Sequence, residues 1–156
     1  MSDTIKTTRL EGNELIVETK HGVEVYDGKF LVAALLIYVA KGSGTIEPEE
    51  ASKMIDLIEQ HFKLEGAESL ELLTRAMSEL AEKPELAEHL VALGQTLSDK
   101  QKEDIAVMAL KVIAADGRRH VEEMEQFNRA VEAVGVSPEI VHRAFDRYFE
   151  ETMPGR

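Results

Sequence analysis

Leu110 to Glu125 reads LKVIAADGRRHVEEME, and 75 positions earlier Leu35 to Glu50 reads LLIYVAKGSGTIEPEE. Extended back by one residue, the two stretches share six identities over 17 positions: Ala34/Ala109, Leu35/Leu110, Ala40/Ala115, Gly42/Gly117, Glu47/Glu122 and Glu50/Glu125. Ile46/Val121 adds a close match. Each copy reads as an apolar helix end, a glycine turn, and a new helix opening with acids. Glycine suits the turn because it tolerates the left-handed backbone of a helix C-terminus. Early acids complement the positive end of the helix dipole. The expected fold is therefore all-α: a seven-helix single domain with an internal pseudo-two-fold duplication. The two turns are the places where function is expected to sit.

The surrounding sequence supplies the other helices. Lys29 to Lys41 is apolar nearly all round, which predicts a central helix. Its apolar run, Phe30 to Ala40, is too short to cross a bilayer. It stops at Gly42-Ser43-Gly44, and Pro48 suits the first position of a second helix reaching Phe62, with Met54, Ile55, Leu57 and Ile58 inward. A third helix is expected over about 67–82, with Leu70, Leu73, Met77 and Leu80 at helical spacing. Pro84 starts a short helix carrying Leu86, Leu90 and Leu93 as far as Gly94. Ser98-Asp99 caps the next, about 99–115, which stops at Asp116-Gly117. Two more follow, about 122–134 and 138–152. Met54, Met77 and Met108 are expected in the core, since methionine fills helix interfaces.

Residues 1–28 read as an N-terminal extension and 29–153 as the helical domain. Residues 1–12 are polar and expected to be loose. Leu15-Ile16-Val17 and Val23-Glu24-Val25-Tyr26 flank Lys20-His21-Gly22, a weak β-hairpin signal, so this segment is a short hairpin or extended stretch. A lone two-stranded ribbon is marginal and must lean on something. The first 18 residues contain no apolar stretch of the signal-peptide kind.

Composition narrows the chemistry. Thirty acids against eighteen bases give a net charge of −12, which repels phosphate backbones and anionic lipid. Nucleic acid and membrane insertion are not expected; cations, a basic protein partner or a homodimer through the ribbon edge are. There are no cysteines, which excludes disulfides, thiolate ligands and cysteine nucleophiles and fits a reducing cytoplasm. No Gly-x-Ser-x-Gly elbow, phosphate loop or HExxH stands in the chain, so no enzymatic activity is expected. Glu139-x-x-His142 has di-iron spacing but no second copy, and reads as a surface pair.

The acids of the turns admit two readings. Asp116, Glu122 and Glu125, joined by Glu47 and Glu50 through the pseudo-symmetry, could offer hard oxygen ligands to a divalent cation such as Ca²⁺, Mg²⁺ or Mn²⁺. His120 lies in the same turn, as does the Arg118-Arg119 pair. Alternatively Glu47 and Glu122 are N-caps whose partners Glu50 and Glu125 reach back from the third position. In that case the chain is a protein–protein interaction module without a metal.

Leu110 to Glu125, with the run to Val134, resembles the second motif of the TerB-like tellurite-resistance family, and Leu35 to Glu50 matches the first. The resemblance covers about 29–153. It implies an all-helical, internally duplicated domain in bacterial stress and metal-resistance systems. It also implies acidic turn residues that bind a cation or a partner: here Asp116, Glu122 and Glu125, with Glu47 and Glu50. The first copy departs from the pattern, having Lys41 where the second has Asp116. Thiols are the obvious protein reductants for chalcogen oxyanions. A chain without cysteine is expected to contribute to resistance indirectly.

Overall fold

Helix α1 (Gly28–Ala40) lies at the centre because it has no polar face: ten of its 13 residues are buried. Asp27 caps it, its carboxylate accepting the Phe30 N–H at 3.1 Å. The computed structural model describes residues 5–41, 46–83, 85–115 and 121–152. Around α1 pack α2 (Pro48–Phe62), α3 (Gly66–Glu82), α5 (Asp99–Ile113) and α6 (Val121–Ala133). The short α4 (Leu86–Leu90) runs on as a 3₁₀ stretch, Val91–Thr96, and α7 (Pro138–Thr152) packs on α5. The described residues are thus mostly helical, with seven helices at nearly the expected positions.

Local chemistry accounts for the boundaries. Ser98 and Gln101 cap α5 reciprocally, at 2.8 and 3.1 Å. Pro48 occupies the start of α2, and Lys63 ends it in the left-handed conformation (φ 56°). The inward stripes Met54–Leu57–Ile58, Leu86–Leu90–Leu93 and Ile105–Met108–Ala109–Val112 are all buried.

Two expectations are corrected. On α3, Leu70 and Met77 face solvent, 52% and 43% exposed, so Met77 is not a core residue. The buried face is Ser69, Leu73 and Ala76, because α3 approaches α2 closely enough for the Ser69 hydroxyl to donate to the Ile55 carbonyl at 2.7 Å.

The N-terminus is also more ordered than expected. Residues 5–11 are a strand, not a loose tail, and the sheet has three antiparallel strands: β1 (Ile5–Glu11), β2 (Glu14–Thr19) and β3 (Gly22–Tyr26), in that order. Gly12 opens the two-residue loop to β2 with φ 62°, where type II′ hairpins place glycine. Leu15, Val17 and Tyr26 on the inner face join the helical core, so the ribbon leans on the helices as the marginal stability of an isolated hairpin requires. A polar cluster reinforces the seam. The Tyr26 hydroxyl donates to Glu79, Lys83 meets Glu79 at 3.0 Å, and the Arg75 guanidinium stacks over Tyr26 and Phe30.

Helix α7 buries only Ile140 and Ala144 fully, and charge holds much of the rest. Arg147 reaches Asp104, Glu103 (3.3 Å) and Glu151 (2.7 Å); Arg143 meets Glu103 (3.1 Å) and Lys111 meets Glu151 (2.6 Å). Hydrogen bonds from Arg143 and Arg147 hold Glu103 below the usual carboxylate range. Bonds from Lys111 and Arg147 do the same to Glu151. Burial pushes Asp104 up, but Arg147 and Lys100 outweigh it and the net direction is down. Depressed acids stabilise above the unfolded carboxylate pKa of about 4 and lose that contribution as pH falls through the folded value. Arg147→Ala is therefore expected to cost about 1–2 kcal/mol at neutral pH, given several partly exposed pairs. Melting curves should converge with wild type as the pH drops below about 4.

Candidate functional site

The acids singled out by the turns do not share one environment. Glu50 is fully buried at the third position of α2. Its Oε1 accepts the Glu47 N–H at 3.1 Å, so the predicted cap is present in the first turn. Glu50 Oε2, by contrast, is buried with no hydrogen-bond partner among the described residues. Glu47 is half-buried at the N-cap.

On α6, Glu122 and Glu125 are both exposed. Val121 is already helical in α6, so Glu122 lies inside the helix rather than at its N-cap. The acid that α6 buries is Glu123, on a stripe with Phe127, Ala130 and Val131. The cause is a register difference of two residues. α1 ends at Ala40 and α5 at Ile113, and the buried stripe Glu50, Met54, Leu57 and Ile58 of α2 has the spacing of Glu123, Phe127, Ala130 and Val131 in α6; both intervals are 73 residues. The helix ends agree: the Lys41 N–H bonds to Ile37 and Val39 carbonyls, and the Ala114 N–H to Leu110 and Val112, again 73 apart. At this spacing Glu50 falls 73 residues before Glu123, and Lys41, exposed at its C-cap, 73 before Ala114. The 75-residue sequence match aligned Glu50 with Glu125 instead.

Asp116, Gly117, Arg118, Arg119 and His120 lie outside the described residues, as do Gly42 to Gly44 and Pro84. Among the described residues no group of three or more histidine and carboxylate side chains is placed to hold a metal ion. Glu50 supplies a buried hard-oxygen carboxylate at the start of α2, the donor chemistry that Ca²⁺, Mg²⁺ and Mn²⁺ accept. Glu139 and His142 are both exposed, and His142 pairs with Asp146 at 3.5 Å.

Glu123 is the residue that reading by identity missed. Periodicity offered the signal: Glu123, Phe127, Ala130 and Val131 stand at i, i+4, i+7 and i+8.

The mostly helical architecture agrees with comparison to known proteins. The family model described as "Tellurite resistance protein TerB" matches residues 29–146. The chain belongs to the TerB family. No curated protein and no solved structure matches it. TerB membership supports a tellurite-resistance-like role in general terms. The TerB match begins after β3, so the whole sheet lies outside it. Among the described residues no helix is long and apolar enough to cross a membrane.

Proposed function

We propose that this chain is a non-enzymatic stress protein of the tellurite-resistance type, internally duplicated, that binds a divalent cation at its acidic helix starts. The observation that carries the reading is Glu50: fully buried, with Oε2 lacking a hydrogen-bond partner among the described residues. An ionised carboxylate out of water costs several kcal/mol unless a counter-charge meets it. A divalent cation supplies that charge. The common spacing of 73 residues between the ends of α1 and α5 and between the buried stripes of α2 and α6 supports the duplication.

Few protein ligands mean weak binding, so the affinity is expected at the 10⁻⁴–10⁻³ M end of the known range. Equilibrium dialysis against Ca²⁺, Mg²⁺ and Mn²⁺ tests this. Saturable binding to wild type that Glu50→Gln abolishes and Glu125→Gln retains is the expected result. Binding that survives Glu50→Gln would leave Glu50 as a helix cap only, a role its bond to the Glu47 N–H already performs.

A further inference from the structure

Away from the acidic helix starts, α1, α4 and α6 enclose a surface hollow of about 380 Å³. Leu31 and Leu35 of α1 and Leu90 of α4 form its apolar floor. Its α6 wall is low because Ala130 and Ala133 carry only methyl groups. Gly94 holds the α4 side in place. A Cβ there would lie 2.3 Å from the Val134 carbonyl oxygen, so the 3₁₀ stretch after α4 sits directly on the end of α6. Tyr38, 38% exposed, stands at the rim.

The walls carry one charge of each sign: Glu88 on α4 and Arg129 on α6. Both side chains are exposed. Among the described residues Arg129 meets only the neutral Gln126 amide, at 3.3 Å, and Glu88 meets no basic group. A built, apolar, helix-lined hollow with opposite charges on its two banks suits an occupant of complementary charge. That occupant presents an apolar stripe flanked by a base on one side and an acid on the other, which is the surface of an amphipathic helix. Such rim charges set register and orientation more than affinity.

We propose that this hollow is the docking groove for an amphipathic helix of a partner protein, its apolar side chains seated on Leu31, Leu35 and Leu90, with a basic flank toward Glu88 and an acidic flank toward Arg129. The inference is independent of the cation reading.

Three designed peptides of about 15 residues test it, long enough for several helical turns. They share one leucine stripe and differ in the flanks: lysine and glutamate on opposite sides, lysine on both, or glutamate on both. Affinities are measured by fluorescence anisotropy at about 0.15 M salt, which screens the long-range field of the acidic chain. The mixed-flank peptide is expected to bind roughly two- to fivefold more tightly than either other, the scale of exposed ion pairs. Arg129→Glu should move the preference to the all-lysine peptide. Ala133→Trp, which fills the exposed wall, should weaken every peptide at least about tenfold, since it removes the apolar seat. Circular dichroism establishes that both variants fold; should Ala133→Trp unfold, the preference change in Arg129→Glu decides alone. The proposal is overturned by absence of binding, by an order of affinities that Arg129→Glu leaves unchanged, or by binding that a folded Ala133→Trp retains. Self-association abolished by Ala133→Trp would assign the groove to a second copy of the chain, and also overturns it.

Discussion

Gly94→Ala is expected to destabilise the protein by about 3 kcal/mol, the upper part of the range for overpacking a rigid site. The added Cβ would stand 2.3 Å from the Val134 carbonyl oxygen, 2.9 Å from its carbon and 3.0 Å from its Cα. These are backbone atoms, so no side chain can swing away; either the 3₁₀ stretch or the end of α6 must move. Val134 is itself tied back, its N–H bonding the Ala130 carbonyl at 3.1 Å. For a domain of this size the cost corresponds to a fall in Tm of about 6–12 °C. Gly28→Ala is the control. It opens α1 with nothing within 4 Å of the new Cβ and is expected to be neutral or stabilising by up to about 1 kcal/mol. Thermal unfolding of the two variants side by side checks both; equal melting temperatures would contradict the close approach.

Glu79→Ala is expected to cost about 3 kcal/mol, because it strands Lys83. The Lys83 side chain is only 3% exposed and meets Glu79 at 3.0 Å, while the Tyr26 hydroxyl donates to the same carboxylate. Removing the acid leaves a buried ammonium without its counter-charge and a buried phenol without its acceptor. Replacing all three groups with apolar ones, as Tyr26→Phe/Glu79→Leu/Lys83→Met, should recover most of the loss, since the unpaired charge rather than the missing bond dominates. Denaturant unfolding of the single and triple variants tests the contrast.

The same cluster predicts pH limits on both sides. Burial raises the Glu79 pKa, yet bonds from Tyr26 and Lys83 and the nearby Arg75 outweigh it and hold the group below its ordinary value. Its stabilisation is present above the unfolded carboxylate pKa of about 4.3 and is lost as pH falls through the folded value. Burial and the Glu79 carboxylate push the Tyr26 phenol well above its usual range. That contribution is present below about pH 10 and is lost at higher pH. The sheet is thus expected to be most firmly attached between these limits. Hydrogen exchange of the β2 and β3 amides across pH would reveal the window, and the triple variant should lack it.

The helices were legible because caps, prolines and apolar periodicity agreed at each boundary. Ser98 with Gln101, Pro48 and the uninterrupted apolar run of α1 each act locally, and local signals survive into the fold. What escaped depended on tertiary contact. β1 has no buried side chain to announce it; only its β-branched threonines and the Gly12-Asn13 loop hinted at a strand. Met77 carries a core residue's chemistry but lies off the buried stripe Ser69, Leu73 and Ala76, which stands at i, i+4 and i+7. At the site, matching identical letters at 75 residues aligned Glu50 with Glu125. The helix ends and the buried stripe of α6 run at 73 and bury Glu123 instead. Sequence identity marks the turns; helical phase decides which acid in each turn leaves water.

The most direct test of cation binding is the stability of wild type and Glu50→Gln in chelator and in millimolar Ca²⁺, Mg²⁺ or Mn²⁺. Glutamine can still accept the Glu47 N–H, so the cap survives the substitution. In chelator Glu50→Gln is predicted to equal or exceed wild type, because it removes a buried charge with an open oxygen. With one ion at about 100 times its Kd, wild type is predicted to gain about 2.7 kcal/mol and overtake the variant, which gains nothing. The same order of stability in every condition, or an equal gain in both proteins, would contradict a cation at Glu50.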